Sequence, residues 1–152
     1  MMDLREIYQD VILDHYRKPR NYERLEDANC EAEGHNPLCG DRVKVFLKVE
    51  EGVVRDVSFE GTGCAISTAS ASMMTEAVKG KPLAEVEKLF HTFHNLVTGR
   101  DNGEGGEEPA ELGNLESLSG VREIPIRVKC ATLAWHTLQA ALKKTEERVS
   151  TE

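Results

Sequence analysis

The chain has no CxxC pair, no dense basic run and no uninterrupted apolar stretch long enough to cross a bilayer. Each absence removes a class of function. Without a CxxC pair, a zinc ribbon or a thioredoxin-like redox site has no support. Apolar patterns are broken by charges every few residues, whereas a membrane helix needs about 20 apolar residues in succession. Acidic residues outnumber basic ones 27 to 19, and the net charge of −8 repels phosphate backbones. No nucleic-acid or membrane partner is therefore expected. Gly61-Thr62-Gly63-Cys64 is not followed by the Lys-Ser/Thr of a phosphate-binding loop, so it is weak evidence for one. The segment Met1–Tyr16 is acidic and amphipathic rather than basic and apolar, so no signal peptide is read and the expected location is cytoplasmic.

What is present is an ordinary globular composition, 39% hydrophobic and 30% charged. A length of 152 residues and the absence of repeats imply one domain over 1–152, with a polar, frayed tail over 144–152. Helical spacing of Leu4, Ile7, Tyr8, Val11, Ile12 and His15 predicts an amphipathic helix over 3–16, stopped by Pro19. Alternation of Ala28, Cys30 and Ala32 predicts a short strand, followed by a turn over Gly34–Gly40. Val43, Val45, Leu47 and Val49 give a clear period-two strand. Glu50-Glu51-Gly52 reads as a hairpin leading into a strand over Val53–Phe59, whose inner face of Val53, Val57 and Phe59 is spoiled by Arg55. Helices are expected over 64–79, from Pro82 with Leu83, Val86, Leu89, Phe90, Phe93 and Val97 inward, and from Pro125 with Ile126, Cys130, Leu133, Ala134, Leu138 and Leu142 inward. A short helical piece over Leu112–Leu118 follows a Gly- and acid-rich loop at 99–109. The fold class is α+β, a small three-stranded antiparallel sheet with several helices.

The chemistry resides in the cysteines. Cys39 ends a turn beside Gly40, and Asp41 follows at i+2, so in an extended segment thiolate and carboxylate point the same way and can meet on one ion. Cys64 stands behind three small residues at a helix start, where unpaired N–H groups favour the thiolate. Cys130 lies in the first turns of the last helix, with Arg127 on the same side. A single cysteine is more often a small buried hydrophobe, and that is the reading for Cys30. On pattern alone Cys130 reads as core and Asp41 as a turn residue at least as readily as ligands. His35 is a minor ligand candidate. His91 and His94 fit a polar helix face, and His15 and His136 fit ordinary helix positions.

Asn36-Pro37-Leu38-Cys39-Gly40-Asp41, Gly61-Thr62-Gly63-Cys64-Ala65-Ile66-Ser67 and Arg127-Val128-Lys129-Cys130-Ala131, in that order, resemble the IscU/NifU N-terminal family of iron–sulfur cluster assembly proteins over residues 4 to 143. The resemblance implies an α+β fold, family cysteines at Cys39, Cys64 and Cys130, the motif aspartate at Asp41, and no role for Cys30. Lys129 stands where the common scaffold branch carries histidine. Ile124-Pro125-Ile126-Arg127-Val128-Lys129 departs from that branch's LPPVK-like motif, which speaks against docking to a dedicated heat-shock chaperone. These features resemble the SufU branch. That resemblance implies Zn2+ on three cysteines and the aspartate, sulfur received from a cysteine desulfurase, and delivery to SUF-type assembly machinery. Asp41 is then the ligand to leave, Cys39 the sulfur acceptor, and Arg127 the counter-charge to a site of formal charge −2. The protein would be a sulfur relay rather than a turnover enzyme. The alternative is a scaffold on which the same residues hold iron or a transient [2Fe–2S] cluster before transfer to apo-proteins. A purely structural zinc is a third reading.

Overall fold

A computed structural model describes residues 4–99, 110–143 and 149–150. The Gly- and acid-rich segment beyond Gly99 and most of the C-terminal tail lie outside the described residues. The chain runs α1 (Leu4–Arg17), β1 (Cys30–Asn36), β2 (Asp41–Glu50), β3 (Val53–Thr62), α2 (Ala65–Val78), α3 (Leu83–Thr98), a 3-10 segment (Gly113–Glu123), α4 (Pro125–Leu142) and β4 (Val149–Ser150). The sheet order is β3-β2-β1-β4. The first three strands are the expected antiparallel set, and β4 adds a two-residue parallel pairing at Gly34 and His35. Among the described residues no helix is long and apolar enough to cross a membrane.

Details of the strands differ from the sequence reading. β1 continues through Gly34-His35-Asn36, which the composition assigns to a turn. Gly34 lies where the sheet meets α4: a Cβ there would stand 2.0 Å from Thr137 Oγ1. Its glycine marks close packing rather than a break. In β3 the register shifts beside Lys48 and Val49: Lys48 pairs with Asp56 and Val49 with Val54. Arg55 is therefore the extra residue of a bulge. The bulge reverses the alternation, so Val54, and not Val53, joins Val57 and Phe59 in the core. The Glu51-Gly52 turn has positive φ at both residues, 52° and 75°, the geometry whose twist suits a two-residue hairpin.

One sheet face, with Val43, Val45, Leu47, Val57 and Phe59, packs on α4 and α2. On the other face Phe46 is fully buried beneath the side chains of Arg24 and Lys44. The last helix is buried almost all round, through Ala131, Leu133, Ala134, Trp135, Leu138 and Ala141. Ile126, expected inward, is 45% exposed because the helix has not yet reached the core at its first turn. The Ser- and Ala-rich α2 admits close neighbours, and its buried hydroxyls find partners. Ser70 Oγ donates to Ala131 O at 2.6 Å, and Thr75 Oγ1 donates to Ser72 O at 2.7 Å.

His15 ties α1 to α2. It is 2% exposed, with Nδ1 2.7 Å from Ser72 Oγ and Nε2 3.5 Å from Glu76. Burial pushes its pKa below the ordinary 6.5, Arg20 adds to this, and Glu76 and Asp14 oppose it. Burial, with help from His94, lowers His136 as well. The folded chain thus binds these protons less readily than the unfolded chain. Their contribution to stability is complete above pH 6.5 and is lost as pH falls through the depressed values. The urea midpoint should be lower at pH 5.5 than at pH 7.5. In His15→Gln, which keeps a hydrogen-bonding side chain but cannot titrate, the difference between the two midpoints should shrink.

Candidate metal centre

Three connections converge at one end of the molecule. β1 and β2 are joined by the turn at residues 37–40, in which Cys39 N–H donates to Asn36 O at 3.3 Å and Gly40 takes φ +71°. The strand register sets Asn36 opposite Asp41. β3 ends at Thr62, and α2 starts behind Cys64, whose Sγ accepts from Ser67 N at 3.4 Å as the helix cap. α4 starts at Pro125 and brings Cys130 in from the far side of the core.

The result is a compact donor group. One ligand atom from each of Cys39, Asp41 and Cys130 lies within 4.8 Å of the others, and Cys130 Sγ is 3.3 Å from Cys39 Sγ. Cys64 stands beside this trio: its N–H donates to Asp41 Oδ1 at 2.9 Å, while its sulfur turns to the α2 terminus. Three of the four expected ligands are thus gathered, and the fourth is attached to one of them through its backbone. Cys30 is 7% exposed in the core and lies outside this group. His35 faces Arg42 across the β1–β2 ladder and is likewise outside the donor group.

Exposure differs across the site. Asp41 and Cys130 have no measurable exposure, whereas Cys39 and Cys64 are partly exposed. Burial pushes the Cys130 thiol far up, and the neighbouring Asp41, Cys39 and Cys64 push it in the same direction. The Arg127 guanidinium is held above the usual range first by a hydrogen bond to Cys130, then by the charges of Cys64, Cys130 and Cys39. The i, i+3 placement of Arg127 and Cys130 on α4 produces this contact. Leu38, next to Cys39 in the chain, is 56% exposed, and Ile124, just before α4, is 51% exposed.

The sequence reading missed Asn36. Its side chain is fully buried, with Nδ2 3.3 Å from Asp41 Oδ2 and 3.6 Å from Cys130 Sγ. It also missed the use of Gly63. A Cβ there would stand 2.8 Å from Asp41 Oδ1 and 3.2 Å from Ser67 Oγ, so the glycine makes room for the carboxylate. The glycine string before Cys64 held that signal, but the identity of the group it accommodates depends on a strand over 20 residues away.

Residues 7–100 match the family described as NifU-like N terminal domain. The zinc-dependent sulfurtransferase SufU of Bacillus subtilis is 40% identical over 144 residues, 95% of each chain. The iron–sulfur cluster assembly scaffold protein IscU of Thermotoga maritima is 41% identical over 143 residues, 94% of this chain and 97% of that one. Among solved structures, a putative iron–sulfur cluster assembly scaffold protein for the SUF system from Fervidobacterium islandicum superposes with a TM-score of 0.80 at 34% identity. That match covers 92% of this chain and 99% of the other.

If Gly63 makes the space Asp41 needs, Gly63→Ala should displace the carboxylate from the Cys64 N–H. Loss of a hydrogen bond to a buried charge costs roughly 1.5–3 kcal/mol. Urea denaturation of the chelator-treated protein should show a loss of about 2 kcal/mol. An unchanged midpoint would mean that the carboxylate relocates freely.

Proposed function

Because the chain belongs to the NifU-like N-terminal domain family, we propose that it serves iron–sulfur cluster biogenesis as a zinc-binding acceptor of sulfur from a cysteine desulfurase. Delivery is to SUF-type assembly machinery. The observation that carries this reading is the gathering of Cys39, Asp41 and Cys130 within 4.8 Å, with Cys64 bonded to Asp41. The donors fit zinc, which takes thiolate and carboxylate ligands in tetrahedral sites. The buried carboxylate supports the same reading. Among the described residues it is held by amide N–H donors from Cys64 and Asn36, with no ion pair of its own, so a cation belongs beside it. Cys39, Asp41, Cys64 and Cys130 would hold the metal. Zinc bound there would favour the thiolate form of the cysteines near neutral pH.

The residues divide the work by position. Cys39 is the acceptor because it is the exposed member of the close sulfur pair, beside Leu38 and the open, left-handed Gly40, where a Cβ would meet nothing within 4 Å. Its thiolate attacks the terminal sulfur of a desulfurase persulfide. An S–S bond forms on Cys39, the donor's S–S bond breaks, and the desulfurase cysteine leaves as thiolate, so no external oxidant or reductant is needed. Cys130, fully buried, has no access to a protein donor. Asp41 is the oxygen donor of the set and the one whose release costs least in thiolate coordination. Arg127 balances the negative charge of the cysteines.

A scaffold function keeps a specific observation in its favour, since relatives named as scaffolds are as similar to this chain as the relative named as a sulfurtransferase. On that reading the same residues hold iron or a transient [2Fe–2S] cluster for apo-proteins. Anaerobic reconstitution followed by transfer to an apo-ferredoxin separates the two.

Metal analysis of the purified protein should find about one zinc per chain, the count one four-ligand site allows. Cys39→Ala should abolish persulfide acceptance from a cysteine desulfurase, read by alkylation and intact mass, and full retention would refute the assignment. Arg127→Ala should weaken zinc retention or sulfur transfer by about tenfold, the lower range for residues supporting a metal site. No change in either quantity would remove Arg127 from the site.

A further inference from the structure

We propose that Asn36 is a positioning residue for the metal centre, holding three of its members in register from one place in the chain; this rests on the metal-site reading above. Its backbone carbonyl accepts from Cys39 N–H at 3.3 Å, which closes the turn that presents the Cys39 sulfur. Its amide nitrogen lies 3.3 Å from Asp41 Oδ2 and 3.6 Å from Cys130 Sγ. A primary amide carries two hydrogens on that nitrogen, one for each partner. The two most buried donors of the site, one from β2 and one from α4, are thereby tied to the same atom.

The orientation of the amide follows from chemistry. Turned the other way, its oxygen would face a carboxylate oxygen at the same distance, acceptor against acceptor. With nitrogen toward the ligands, the remaining oxygen, Oδ1, is buried without a hydrogen-bond partner. An unpartnered buried amide oxygen is a cost to folding, and an apolar side chain of equal volume at this position would avoid it. The arrangement is therefore poor as a packing solution and good as a two-point donor. Asp41 Oδ1 is meanwhile fixed by Cys64 N–H, so the carboxylate is held at both oxygens before any metal arrives. Preorganisation of ligands by residues behind them sets metal affinity, with losses of about 10–100-fold when such partners are removed.

The test is Asn36→Leu, close in volume and without donors, with zinc affinity measured by competition against a chromophoric chelator and Co2+ loading followed by absorption. The apo protein is melted in parallel. Zinc affinity of the folded fraction should fall at least tenfold, and the cobalt bands should shift as the oxygen donor is lost; the apo melting temperature falls as well, because Asp41 Oδ2 loses its donor. A side chain that only packs would leave the affinity of the folded fraction unchanged, and that result overturns the proposal. Should Asn36→Leu not fold, Asn36→Ser leaves space and a single hydroxyl, which reaches one partner at most. The same weakening is expected there, and unaltered affinity is again fatal. If the unsubstituted protein itself binds neither zinc nor cobalt, the metal-site reading fails, a result distinct from equal binding by both proteins.

Discussion

Asp41 carries its carboxylate into an interior with no measurable exposure, and the fold meets that cost with N–H donors drawn from two other places in the chain. An isolated buried carboxylate is strongly disfavoured, so the donors must arrive with the acid. Cys64 N–H arrives because β3 ends and α2 begins at that point, where the first backbone N–H groups of a helix lack intrahelical partners. The Asn36 amide arrives because the β1–β2 register places it directly across from Asp41. Two connections separated in sequence are thereby fixed relative to each other by one side chain, and the cysteines they carry come with them.

The remaining cysteine depends on packing. Cys130 reaches the site only because α4 lies against both the sheet and α2, and small residues allow that approach: Gly34 on the strand, Ala131 and Ala134 on α4, Ala69 and Ala71 on α2. Close backbone approach leaves little room for water, so polar groups in the contact must satisfy each other. The hydroxyl of Ser70 does this by donating to the Ala131 carbonyl, one residue past the cysteine. On the far side of α2, Ser72 and Thr75 bind His15 and Asn21 and so fasten α1 and the following loop to the same helix. The helix that carries Cys64 at its start is therefore anchored along its length.

Much of this was legible in the sequence, and the reasons differ by residue. Helix α1, strand β2 and the three other α-helices announced themselves by period and by Pro and Gly punctuation. The cysteines with their glycine neighbours marked the site. The nearness of Arg127 to Cys130 was legible because i and i+3 share a helix side whatever the tertiary structure. What stayed hidden was non-local. Gly34 reads as a turn residue until α4 is seen to need the space. Arg55 reads as a fault in a strand until the bulge beside Val49 gives it a place. Asn36 looks like an ordinary turn asparagine, and only the arrival of Cys130 from 94 residues away gives its amide a second partner. Cys64 was expected through its sulfur alone, and the service of its N–H to Asp41 is not legible from spacing.

The arrangement of exposure bears on how a sulfur relay must be built. A nucleophile that meets a partner's persulfide has to reach the surface, while donors that hold a metal are best shielded from competing water. On the proposed reading the two demands fall on different atoms of this chain. Cys130 and Asp41 are enclosed, and Cys39, 3.3 Å from Cys130, lies on a turn beside an exposed leucine. Burial keeps the Cys130 proton on its sulfur, so the enclosed thiol is a poor nucleophile in the absence of a cation. Arg127, whose guanidinium is held above the usual range by Cys130, Cys64 and Cys39, is the proposed counter-charge. A protein that enclosed all three sulfurs would retain metal well but could not accept sulfur from a large donor. One that exposed all three would expose every thiolate to oxidation. Placing one member of a close sulfur pair inside and the other on a partly exposed turn satisfies both requirements.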